Sequence, residues 1–195
     1  MHEALIKPHD GAPMEPAKSI TPSDLELRRP RLDEEQEVLR AHRATIPEAL
    51  HFLHYYEEGM PFARYLEVLQ EQEKGINLRE NFVPSSFLFA FLQDRIVGRA
   101  SIRHRLSEHW GHVNGHIGYF VLPEFRRRGC ATAILRLALR LAREKLGLPR
   151  VLVTCDQDNI GSIKTIEKCG GILENVVTLP DLRAPKHRYW IDTEG

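Results

Sequence analysis

The chain has 195 residues, 42% of them hydrophobic and 28% charged, with 27 Lys plus Arg against 27 Asp plus Glu. That length and composition suit one soluble domain with a sizeable core, and the zero balance offers no basic field for nucleic acid. No apolar run approaches membrane-span length and no hydrophobic N-terminal signal is present. Cys130, Cys155 and Cys169 are too widely spaced for a disulfide framework or zinc knuckle, so a cytoplasmic protein is the expectation.

Residues 1–23 are rich in proline with little periodicity, which predicts a flexible or loosely docked tail and leaves 24–195 as a single domain. Short alternation over 25–30 suggests a first strand. Asp33 is placed to cap a helix that turns Val38, Leu39 and Ala41 inward. Residues 46–59 are aromatic and bear histidine (His51, Phe52, His54, Tyr55, Tyr56). Pro61 starts a second helix with Phe62, Tyr65, Leu66 and Leu69 on one side. Residues 86–92 read as a buried strand, 93–95 as a turn and 96–102 as the hairpin partner. The polar stretch 104–114, with Trp110 and Gly111, is a loop.

The most informative stretch follows. Residues 118–121 read as a short strand closed by Pro123, which cannot donate to a sheet ladder. Ala131, Ile134, Leu135, Ala138, Leu141 and Ala142 recur at helical spacing up to Gly147 and Pro149. Between strand and helix lie Arg126, Arg127, Arg128, Gly129 and Cys130. A helix start carries unpaired amide N–H groups and about half a positive charge. With Gly129 and the small Ala131 admitting close approach, the turn reads as an anion cradle for a pyrophosphate. Neither a P-loop nor a dinucleotide glycine motif is present. Residues 151–155 form the next strand, 159–162 open a helix ending near Gly171, and 172–177 resume as strand. Arg136, Arg140 and Arg143 make a helical stripe read as a solvent face.

The run Val121-x-Pro123, Arg126-x-x-Gly129-x-Ala131, together with that order of elements, resembles the acetyl-coenzyme A signature of the GNAT acyltransferase superfamily. The resemblance is specific over 115–177 and rests on element order alone from residue 25. It implies an α/β (α+β) fold: a mixed, mostly antiparallel twisted sheet, helices on both faces, and a central strand pair that splays to admit the cofactor. It further implies that the backbone of Arg127, Arg128, Gly129, Ala131 and Thr132 holds the pyrophosphate. Arg126 and Cys130 belong to the same loop. The backbone around Phe120 and Val121 takes the pantetheine arm and polarises the thioester, and Asn159 and Ser162 meet the sulfur end. Asn159 or Asp158 also suits a helix cap, and the two roles are compatible. The first helices and their connection would wall the acceptor cleft; the alternative is that these aromatics pack the sheet.

The expected reaction is transfer of an acetyl group from acetyl-CoA to a small-molecule or peptide amine, and a homodimer is left open. A non-catalytic acyl-CoA-binding module with the same fold is the rival reading. It survives because Ile166 stands where many relatives carry a tyrosine that protonates the leaving thiolate. A lysine-like amine with pKa about 10.4 costs roughly 4.6 kcal/mol to deprotonate at pH 7, so a base matters for such an acceptor. His116 is the first candidate base, on the central strand and with an ordinary pKa near working pH. Tyr119, Glu124 and Asp156 are weaker candidates. His104, His109, His112 and His116 have no metal-ligand spacing, so no metal is expected.

Overall fold

The computed structural model describes residues 19–48, 52–108, 111, 113–180 and 182–194. Seven strands form one sheet: β1 Glu26–Arg28, β2 Ser85–Leu92, β3 Arg95–Arg103, β4 Ile117–Val121, β5 Arg150–Asp156, β6 Ile172–Val177 and β7 Lys186–Asp192, in spatial order β1-β2-β3-β4-β5-β7-β6. Every neighbouring pair is antiparallel except β4 and β5.

Strand alternation sends each face of the sheet to its own core. Phe87, Phe89 and Phe91 pack with Val38 and Ala41 of α1 (Glu35–Arg43) and with Phe62, Tyr65 and Leu69 of α2 (Phe62–Lys74). Leu88, Ala90, Val97, Ala100 and Ile102 face the other way. They pack with Ile134, Leu135 and Ala138 of α3 (Cys130–Leu146) and with Ile166 of α4 (Ile160–Lys168). The mixed sheet with helices on both faces matches the expected class. Asp33 does not cap α1: a short turn precedes the helix, and Glu34 instead accepts the Arg31 N–H at 2.6 Å.

The β4–β5 pair decides the function. Its register contains a single bridge, Ile117 opposite Val153. Just before that bridge the strands are clamped, with the His116 N–H donating to the Leu152 carbonyl at 2.6 Å. A Cβ on Gly115 would lie 2.2 Å from that same carbonyl, so only glycine permits the approach. Beyond Ile117 the strands separate. The expected splay is therefore present, pinned at the foot of β4.

Two elements differ from the sequence expectation. No strand is expected from the sequence beyond residue 177, whereas β7 returns to insert between β5 and β6, pairing with β5 along its whole length from Arg150–Asp192 to Asp156–Lys186. Of the expected tail, residues 1–18 lie outside the described residues. Ile20 is buried, and its N–H donates to the Arg128 carbonyl at 2.7 Å, so the docked chain begins before residue 24.

Candidate active site

A cavity of about 760 Å³ opens where β4 and β5 part, between the starts of α3 and α4. Its walls include Tyr119, Phe120 and Val121 from β4; Arg126, Arg127, Gly129, Cys130, Ala131 and Thr132 from the turn and first coil of α3; and Asn159 and Ser162 from α4. Arg128, grouped with them from the sequence, points elsewhere: its guanidinium lies 5.5 Å from the centre of the Phe125 ring.

Backbone groups dominate this cavity. The Leu122 N–H donates to Val97 and the Arg103 N–H to His116, which fixes the phase of β4 against β3. In an antiparallel ladder the residues between such pairs turn their amides to the opposite edge. Phe120, opposite Arg99, is thus tied to β3, while the N–H groups of Tyr119 and Val121 face the gap left by β5. The N-terminus of α3 has no side-chain cap, so its first-turn amides are open to an anion. Arg127 adopts φ 60°, a left-handed conformation that costs a non-glycine residue about 1 kcal/mol or more and is kept at ligand-facing turns. Gly129 has φ 87°, and the group nearest its missing side chain is the chain's own Ile20 carbonyl, 2.6 Å from an added Cβ. Its conformation and the docked N-terminal segment thus require glycine independently of any ligand.

Asn159 caps α4, its Oδ1 accepting the Ser162 N–H at 3.0 Å, while both residues line the cavity. Arg126 forms a two-pronged ion pair with Glu48, Nη1 to Oε1 at 2.8 Å, so its charge is partly neutralised within the chain. Tyr119 directs its hydroxyl to the Ser162 carbonyl at 3.4 Å, and burial pushes its pKa up to about 12. It keeps its proton at neutral pH and is a donor, not a base. Ile166 is fully buried on the inner face of α4.

His116 requires a correction. Its ring is 6% exposed, lines neither this cavity nor the second one described below, and accepts the Leu152 N–H on Nδ1 at 2.9 Å. Burial, with Arg103 nearby, lowers its pKa to about 4. The neutral ring carries its proton on Nε2 and has no free lone pair for an amine, so it pins the strands instead of acting as a base. The other candidates are also engaged. Glu124 pairs with Arg40 at 2.9 Å. Asp156 binds Arg183 and Lys186, which hold its carboxyl below the usual range despite the opposing effect of burial. Of the histidines weighed as metal ligands, His109 and His112 lie outside the described residues, as do His51 and Trp110; His104 bonds the Ser86 hydroxyl at 3.0 Å.

A second cavity, about 560 Å³, lies on the α1–α2 face at the foot of β4. His54, Tyr55 and Tyr56 from the aromatic connection line it, with Ser85, Arg103 and Asn114. Phe52, from the same stretch, is buried in the core, so the connection both packs against the sheet and lines this cavity. Sequence reasoning missed Arg103. Its signal was a charged residue spaced four from Arg99, on one face of a strand whose intervening positions are apolar or small.

The comparisons agree with this geometry. The model of the acetyltransferase (GNAT) domain matches residues 24–172, and the chain belongs to that family, whose acyl donor is acetyl-CoA. Among solved structures it resembles RimJ of Mycobacterium smegmatis in complex with CoA-disulfide (18% identity, TM-score 0.62, 87% of this chain and 82% of that one). It also resembles the microcin self-immunity acetyltransferase MccE in complex with acetyl-CoA and AMP (19% identity, TM-score 0.60, 91% and 97%). A third likeness is to a spermidine N-acetyltransferase SpeG chimera from Vibrio cholerae and hSSAT (15% identity, TM-score 0.58, 88% and 97%). No curated protein matches the chain in sequence. Among the described residues, no helix is long and apolar enough to cross a membrane.

Proposed function

We propose that the protein is an N-acetyltransferase that acetylates an amine held in the α1–α2 cavity, with acetyl-CoA held along the β4–β5 gap. The observation that carries this reading is the uncapped start of α3 opening into the same cavity as the unpaired edge of β4. Acetyl-CoA, when bound, supplies an acetyl group activated as a thioester. The first-turn amides of α3 and Arg127 hold its pyrophosphate. The Tyr119 and Val121 N–H groups lie along the pantetheine path, positioned to donate to the thioester oxygen as negative charge grows there.

The acceptor nitrogen bonds to the acetyl carbon as the carbon–sulfur bond breaks, and the amine's proton passes to water. The Tyr119 hydroxyl, giving up its long 3.4 Å bond to the Ser162 carbonyl, donates a hydrogen bond to the departing sulfur, a role the buried Ile166 cannot fill. With the proposed protein bases engaged, the acceptor's own pKa governs the rate. A screen of primary amines with acetyl-CoA, following released thiol, tests the reading. Turnover should appear for one amine class, with a rate limb that tracks the acceptor's pKa. Tyr119→Phe should lower kcat roughly ten- to hundredfold, the worth of a hydrogen bond to a charged group, with KM for acetyl-CoA nearly constant. Coenzyme A binding with no thiol release from any amine would favour the non-catalytic module.

A further inference from the structure

The α1–α2 cavity holds a positive charge that no described residue inside it balances. Arg103 reaches in from the end of β3 and donates from Nη1 to the Gly115 carbonyl at 2.9 Å. Among the described residues it forms no ion pair. A bond to a carbonyl needs only a neutral donor, so this contact does not account for a guanidinium at a half-buried position. A desolvated charge without a counter-charge is costly, and burial indeed pushes the Arg103 pKa below its ordinary value. Arg99, on the same face of β3, lies behind it and donates to His54 Nε2 at 3.0 Å, adding a second cation to this side of the sheet. Among the described residues, the one carboxylate lining the cavity is Glu57. It is at the mouth, 73% exposed and 3.8 Å from Arg79, so it does not neutralise the interior. The hydroxyls of Tyr55 and Ser85, 3.2 Å apart, supply neutral polar groups to the same wall.

We infer that this cavity recognises an oxyanion, so that the amine acetylated here also carries a carboxylate or a phosphate, with Arg103 as its partner. The inference rests on the acetyltransferase reading above and narrows it to one chemical class of acceptor. The position suits the task. Through Gly115, Arg103 is anchored at the foot of β4, the strand whose next residues border the coenzyme cavity. An anion held there leaves the other end of the acceptor free to extend along β4 towards the gap. A polycationic acceptor would meet Arg103 with like charge.

The test uses amines in matched pairs. One arm sets ω-amino acids of increasing chain length against their amides; the other sets O-phosphoethanolamine against ethanolamine. Thiol release from acetyl-CoA is read as kcat/KM and corrected for the free-amine fraction. The wild-type protein should prefer the anionic member of at least one pair by about tenfold or more, the range for a hydrogen bond to a charged group. The arm that shows the preference identifies carboxylate or phosphate. Arg103→Gln should reduce that ratio by about tenfold. Equal or greater turnover of the neutral members, a preference for spermidine, or an unchanged ratio in Arg103→Gln would each overturn the inference. If Arg103→Gln does not fold, the wild-type ratios decide. If no amine releases thiol, the acetyltransferase reading fails on its own. Calorimetric titration of the same acids and phosphates then decides the anion site: binding that weakens in Arg103→Gln supports it, and no binding to the wild type overturns it.

Discussion

The two cavities, one bordered by β4 and the other below its foot at Asn114, are built from different materials. The coenzyme cavity is framed by main chain: the open edge of a strand, the uncapped first turn of α3 and a capped α4. Its residues come from three short runs within 119–165. The α1–α2 cavity, proposed above to hold the acceptor, is framed by side chains from 53–57, 79–85 and 103–114, brought together only by folding. A main-chain site tolerates many side chains but demands a particular order of strand, turn and helix. A side-chain site has no such local grammar, and its chemistry depends on which distant groups meet.

The sharpest way to break this comparison is Ala131→Glu. An acidic residue in the first turn suits the helix dipole, so the variant should melt within a few degrees of the wild type. It places negative charge where the pyrophosphate belongs, and such like-charge contacts cost several kcal/mol, so coenzyme A affinity should fall about a hundredfold or more. Unchanged affinity by calorimetry would show that the anion sits elsewhere.

His116→Ala tests the pin between the strands. Removing the ring leaves the Leu152 N–H without its acceptor, which should cost about 1–3 kcal/mol of stability at pH 7. The wild-type ring, held near 4 against an ordinary 6.5, binds fewer protons folded than unfolded between those values. Its stabilising contribution is therefore fully present above pH 6.5 and lost as pH falls towards 4, and denaturant titrations should show that decline flattened in the variant. The kinetic pH profile should keep its shape. A rate limb that disappears in His116→Ala would restore the histidine as base.

These residues also show what the sequence could carry. The apolar run 86–92 and the turn that leads into 96–102 foretold β2 and β3, because one face of each meets aromatic packing and the other meets α3. The arginine-glycine turn was legible as a junction of strand and helix, and it lines the β4–β5 cavity because the open first-turn amides belong to the turn itself. His116 misled because its role depends on Leu152, a partner 36 residues away. The last strand was missed because Tyr189 and Ile191 are its only buried side chains, set among His187, Arg188 and Trp190. Arg126 reads as a phosphate ligand locally, yet the fold brings Glu48 against it from 78 positions away.

That last pair yields the smallest effect. Glu48→Gln frees Arg126 to face the coenzyme cavity. Both side chains are well exposed, 44% and 35%, so the gain in coenzyme A affinity should be about two- to threefold and should vanish in high salt. A loss of affinity would mean that Glu48 positions Arg126 for the coenzyme.

The central claim, that the coenzyme belongs to the main-chain cavity and not to the arginine-lined one, can be read amide by amide. In a titration of the labelled protein with coenzyme A followed by NMR, the amides of Gly129, Cys130, Ala131 and Thr132, with those of Tyr119, Val121 and Ser162, should shift most. Those of Tyr55, Tyr56 and Ser85 should move little. Large shifts at Tyr55, Tyr56 and Ser85 with a still first turn of α3 would contradict the account.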